Sequence, residues 1–132
     1  MSLSTSKDRE YMFFTEKELQ CKCGCNIYNV SPLLLYKLNT MRIILNRPLI
    51  ITSACRCKKH NSKVQGSPTS LHITSEEIPC RAIDIKVANK HERMEIVKVA
   101  THLDFSGIGI ANTFIHLSND NTVIEGVYKY SS

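Results

Sequence analysis

The stretch CRAIDIKV, residues 80–87, alternates as a half-buried strand does. In an extended chain Ile83, Ile85 and Val87 share one face and leave Asp84 on the other. A strand with one apolar face belongs to a sheet covered by a core on one side only, which is the habit of antiparallel sheets. A carboxylate flanked by isoleucines also needs a partner, because an uncompensated charge beside a core is costly. The same alternation returns in FIHLS, residues 114–118, where Ile115 and Leu117 share a face and His116 lies opposite. If the two strands are neighbours, Asp84 and His116 project from one surface. His72 ends a loop rich in Gly, Ser, Pro and Thr (GSPTSLH, residues 66–72) and adds a second imidazole. Two ring nitrogens and one carboxylate oxygen make a ligand set suited to catalytic zinc, with a fourth position left for water.

Outward from this stretch the chain reads as α+β, with helices packed on a small, mostly antiparallel sheet. FTEKELQC, residues 14–21, carries a helix-start signature: Thr15 caps, Glu18 reaches back, and Phe14 is placed as an apolar staple. VSPLLLYKLNTMRIILNRP, residues 30–48, predicts a firmer helix capped by Ser31, with Pro32 in its first turn. Leu34, Leu35, Leu38, Met41, Arg42 and Leu45 recur in it at intervals of three and four, and Asn46 and Pro48 end it. PLIITS predicts a short buried strand. Residues 54–81 predict a long loop-rich stretch with little periodicity, and a connection of that length is often functional. NKHERMEIVKVATHLD, residues 89–104, predicts a helix capped by Asn89, with Met94, Val97, Val99, Ala100 and Leu103 on its apolar side. SGIGIAN, TFIHLS and NTVIEGVYKY predict three final strands joined by tight turns.

The 132 residues suit one domain, assigned to residues 13–132, with residues 1–12 set apart as a flexible N-terminal segment. No run approaches the ~18 apolar residues needed to cross a bilayer, and MSLSTSKDREYMFF lacks the apolar core of a secretory signal. The net charge of +5 gives a mild attraction for anionic partners. No dense Lys/Arg run interleaves with aromatics, so nucleic acid is not read as a partner. Six cysteines stand at 21, 23, 25, 55, 57 and 80. Their C-x-C-x-C and C-x-C spacings depart from the C-x2-C of most structural zinc sites. They read mainly as reduced thiols; the alternative is a cysteine zinc site built from Cys21, Cys23, Cys25, Cys55 and Cys57.

Five pieces in order resemble a known family: Thr52-Ser53-Ala54-Cys55-Arg56-Cys57, Ser70-Leu71-His72, Cys80-Arg81-Ala82-Ile83-Asp84, Gly107-Ile108-Gly109 and Phe114-Ile115-His116. Together they look like the zinc D-alanyl-D-alanine carboxypeptidase and murein endopeptidase family, the LAS metallopeptidases, which includes phage endolysins. FTEKELQCKCGC resembles that family's opening segment, so the likeness runs from about Phe13 to Leu117. The resemblance implies a Hedgehog/DD-peptidase-like fold and Zn2+ held by His72, Asp84 and His116. It implies that Arg56 binds and polarises substrate. The implied partner is a peptidoglycan stem peptide, cut as a carboxypeptidase or endopeptidase by metal-activated water. The chain would then be either a phage-type lytic enzyme, which needs no signal, or an exported enzyme whose leader lies outside this sequence.

Two departures from the family pattern matter. His72 and Asp84 are twelve residues apart, against seven in the family, so residues 73–79 include an insertion expected at the rim of the cleft. Cys80 takes the place of the usual glycine, where it could stand beside the metal. The family's general base, an acid shortly before or after the last histidine, has no counterpart next to His116. Glu76, Glu77 and Asp120 are the carboxylates available as substitutes. The competing expectation is a catalytically degenerate module that binds zinc or a cell-wall peptide on the same fold.

Overall fold

The structure, a computed structural model, describes residues 13–120 and 125–130. The expected flexible segment 1–12 lies outside the described residues. The elements are α1 (Glu16–Leu19), α2 (Pro32–Leu45), β1 (Ile51–Ser53), α3 (Lys58–Lys63), β2 (Ala82–Lys86), α4 (Lys90–His102), β3 (Gly107–Ile110), β4 (Phe114–Ser118) and β5 (Gly126–Lys129). Five strands form one sheet in the order β1-β2-β4-β3-β5. The first three pairings are antiparallel and β3–β5 is parallel, so the fold is α+β with a mostly antiparallel sheet. No helix among the described residues is long and apolar enough to cross a membrane.

The sheet has one oily face and one chemical face. Ile83, Ile85, Ile108, Ile115 and Leu117 are buried in one core with the apolar residues of α2 and α4, α4 lying against β3 and β4 and α2 against α4. Burying each such side chain contributes roughly 1.5–3 kcal/mol. The alternate positions Asp84, His116 and Gly109 fall on the opposite face, aligned across three strands by the pairings Asp84↔His116 and Gly109↔His116. On α2, Ser31 caps by accepting from the Leu34 N–H, and Leu34, Leu35, Leu38 and Met41 are buried. Asn46, with φ of 52°, ends that helix. Thr15 and Glu18 form the expected capping box on α1, and Phe14 is buried.

Three expectations needed correction. On α4 the buried residues are Ile96 and Ala100, while Met94 is 58% exposed. The helix is therefore turned so that Ile96, with Ala100 one turn later, meets the sheet. The final strand does not follow β4 by a tight turn. It begins at Gly126 and pairs in parallel with β3, and the first residues of the expected strand, 121–124, lie outside the described residues. Finally, residues 54–81 are not irregular throughout. They hold the six-residue helix α3, which is capped by Cys57 accepting from the His60 N–H, and they are pinned by isolated bridges Arg56↔Ile73 and Val30↔Cys80. A short polar helix with a cysteine cap carries almost no periodic signal in the sequence.

Candidate metal centre

Asp84 sits in the middle of β2 with β1 on one side and β4 on the other, and is nearly fully buried. Its Oδ1 lies 2.8 Å from His116 Nδ1 and 3.2 Å from His72 Nε2. Both rings are buried, and their centroids stand 5.2 Å apart edge to face. One ligand atom from each of His72, Asp84 and His116 lies within 4.8 Å of the others. Sheet register delivers two of the three. The third comes from the loop, which is held by the Arg56 N–H on the His72 carbonyl at 2.9 Å and the Thr74 N–H on the Arg56 carbonyl at 2.7 Å.

The far nitrogen of His72 tests whether a cation suits this cluster. His72 Nδ1 is 2.6 Å from the Ala54 carbonyl oxygen, which only accepts, so Nδ1 carries the hydrogen. In a neutral ring Nε2 is then a bare lone pair facing a carboxylate oxygen. Acceptors brought this close need a proton or a cation between them. A backbone carbonyl that fixes the far nitrogen is also the usual outer support of a metal-bound histidine. The N2O donor set matches that of three-ligand zinc sites. Burial alone would raise the Asp84 carboxyl, but the His116 hydrogen bond, with the two imidazoles gathered on the carboxylate, outweighs it. They hold Asp84 well below the usual carboxylate range.

Arg56 completes the group. Its Nη2 stands 3.6 Å from Asp84 Oδ2, and its side chain is only 13% exposed. Nε donates to Ser53 Oγ at 3.0 Å and Nη1 to Asn61 Oδ1 at 3.2 Å. Asn61, buried on α3, is tied in turn to the Ser67 carbonyl. Gly66 makes room for this clamp, since a Cβ there would collide with Asn61 Oδ1 and come within 3.0 Å of Arg56 Nη1.

The remaining candidates lie elsewhere. Glu76 and Glu77 are exposed on the inserted loop, which folds as a turn closed by Ser75 and Ile78 and is fastened by Asn29 Nδ2 to the carbonyls of Ser75 and Glu76. Asp120 lies four residues beyond His116 and pairs with Arg81 at 3.1 Å. Cys80 is fully buried and points its thiol at the Ala82 carbonyl; burial pushes that thiol up, and it is not in the cluster.

Sequence reasoning missed Tyr130, whose ring stacks on His116 at 4.6 Å between centroids. Gly109 permits this, because a Cβ there would come within 2.8 Å of Tyr130 and 3.0 Å of Tyr128. The signal was present: Tyr128 and Tyr130 are spaced by two, as residues sharing one face of a strand must be. Burial raises the Tyr130 phenol above its ordinary value, which keeps it a hydrogen-bond donor.

Comparison with curated proteins finds no match. Against protein families, residues 12–118 match the pattern described as Peptidase M15. The matched span opens before α1, closes on the last residue of β4, and takes in the arginine, both histidines and the aspartate of the cluster. This chain belongs to the peptidase M15 family.

Proposed function

We propose that the chain is a zinc metallopeptidase that hydrolyses peptide bonds in peptidoglycan stem peptides or their cross-links. The observation that carries this reading is the convergence of His72 Nε2 and His116 Nδ1 on one oxygen of a buried Asp84. His72, Asp84 and His116 would hold the ion. Zinc bound there would polarise a scissile carbonyl and make a bound water acidic enough to attack near neutral pH.

The chain's own residues supply the rest. The Ala54 carbonyl keeps the His72 lone pair aimed inward. Asp84 stays anionic and brings the negative charge a divalent cation requires. Arg56, braced by Ser53, Asn61 and Asp84, presents a fixed guanidinium to a developing oxyanion or to a substrate carboxylate. Because that bracing depends on the room at Gly66, Gly66→Ala is expected to loosen Arg56. It should lower kcat/KM by roughly tenfold to a hundredfold, the range a misplaced catalytic group produces, with metal content unchanged.

A second reading has one observation in its favour. Glu76 and Glu77 are exposed and Asp120 is ion-paired with Arg81, so none of the three carboxylates expected to substitute for the general base joins the His72/Asp84/His116 group. A module that binds metal or a cell-wall peptide without cutting fits that arrangement. The deciding experiment strips the purified protein with a chelator, reloads it with zinc, and follows release of new amines from murein fragments. Turnover lost on stripping and restored by zinc supports the peptidase. Zinc bound at the His72/Asp84/His116 centre without turnover supports the silent module. Absence of metal from that centre sinks the peptidase and the metal-binding module alike, and leaves only a module that binds a cell-wall peptide without an ion.

A further inference from the structure

A second group of metal-ligating side chains lies outside the centre described above. Cys21, Cys23, Cys25 and Cys57 bring their sulfurs within 4.8 Å of one another. Cys23 Sγ stands 3.6 Å from Cys21 Sγ and 3.6 Å from Cys57 Sγ. Sulfurs at the corners of a tetrahedron with zinc–sulfur bonds of about 2.3 Å would be ~3.8 Å apart, so the observed edges need only a small adjustment to enclose an ion.

The backbone is arranged for sulfur as an acceptor. The Cys57 N–H donates to Cys21 Sγ at 3.3 Å, and the His60 N–H donates to Cys57 Sγ at 3.3 Å. Amide donors aimed at two of the four sulfurs stabilise thiolates more than thiols. The turn that carries three of the cysteines is closed by the Cys21 N–H on the Ile27 carbonyl and by Gln20 Nε2 on Asn26 Oδ1. Cys57 comes from the other side of the group, 36 residues beyond Cys21. Cys55 does not join them. It is buried, and its thiol interacts with Cys80.

We propose that Cys21, Cys23, Cys25 and Cys57 bind a structural metal ion, a soft divalent cation of the zinc type, separate from the peptidase centre. Four protein sulfurs close the coordination sphere and leave no position for water, which marks such a site as structural. Its consequence is mechanical. Cys57 follows Arg56 directly and caps α3, which carries Asn61, so the ion would staple the 20–27 turn to the segment that holds the substrate arginine. The C-x-C-x-C spacing hides the site from sequence patterns because the fourth ligand lies across a long insertion of other structure.

The test uses the full chain, purified under reducing conditions, loaded with zinc and freed of excess. Elemental analysis is expected to give two zinc per chain, and zinc K-edge absorption a sulfur shell at about 2.3 Å beside a nitrogen/oxygen shell. His72→Ala/His116→Ala is expected to keep one zinc with an all-sulfur shell. Cys23→Ser/Cys25→Ser, at two exposed positions, is expected to keep one zinc with no sulfur shell. Cobalt(II) loaded into the histidine variant should show thiolate-to-metal charge transfer and the strong visible bands of a tetrahedral sulfur site. Zinc without sulfur neighbours in the unmodified chain would overturn the proposal, as would a histidine variant that binds none. A disulfide within the group that persists under reductant would overturn it too. If the cysteine variant does not fold, the sulfur shell of the histidine variant decides alone. Because the two sites lose metal independently, failure here is distinguishable from failure of the peptidase reading.

Discussion

Asp84→Asn is expected to leave the sheet folded while emptying the His72/Asp84/His116 centre and lowering kcat/KM by more than about a hundredfold. Changing even an outer partner of a metal ligand costs about 10–100-fold in affinity or activity, and a direct anionic ligand should cost more. Asparagine keeps the shape of the side chain but removes its charge. It also turns one of the two positions that face the imidazoles and Arg56 into a donor. Metal analysis, peptide hydrolysis and near-ultraviolet circular dichroism on the same preparation check this. A folded variant that keeps full metal and full rate at this centre would show that Asp84 is not a ligand.

Arg56→Ala is expected to lower kcat/KM by about 10²–10³, the loss typical of removing one preorganised oxyanion donor, with both metal contents unchanged. Arg56→Lys should recover little. A lysine cannot reach Ser53, Asn61 and Asp84 at once, and it lacks the planar fork that binds a carboxylate at two points. Steady-state kinetics on a murein stem peptide separate the roles. A fall in kcat points to transition-state stabilisation, and a rise in KM alone points to substrate anchoring. Unchanged kinetics in both variants would remove Arg56 from the site.

Much of this centre was legible in the sequence because strand alternation has a period of two. Ile83 and Ile85 commit β2 to the core on one side, Ile115 and Leu117 do the same for β4, and Asp84 and His116 are left on the other. The caps at Thr15, Ser31 and Asn89 were legible for a similar reason, since each acts within one turn of its own helix. What escaped depends on contacts between distant segments. α3 is short and polar, and it is held by Asn61 and Cys57 rather than by an apolar stripe. The parallel pairing of β5 with β3, and with it the Tyr130 ring over His116, arises from a crossover that no local pattern encodes. On α4 Val97, Val99, Ala100 and Leu103 join the core as expected, but Met94 was taken for Ile96, because both are apolar and only the packing beneath decides which is covered. The cysteine group was weighed with Cys55 in it, because spacing cannot show that Cys55 turns inward toward Cys80.

The pairing of β2 with β4 binds integrity to competence. Sliding one strand past the other by a single residue would carry Asp84 or His116 into the hydrocarbon and push isoleucine or leucine into water. No slipped register of these two strands keeps both the interior and the Asp84–His116 pair. In the unmodified chain, therefore, molecules able to titrate with metal at the histidines should also be ones that protect their β2 and β4 amides from hydrogen exchange.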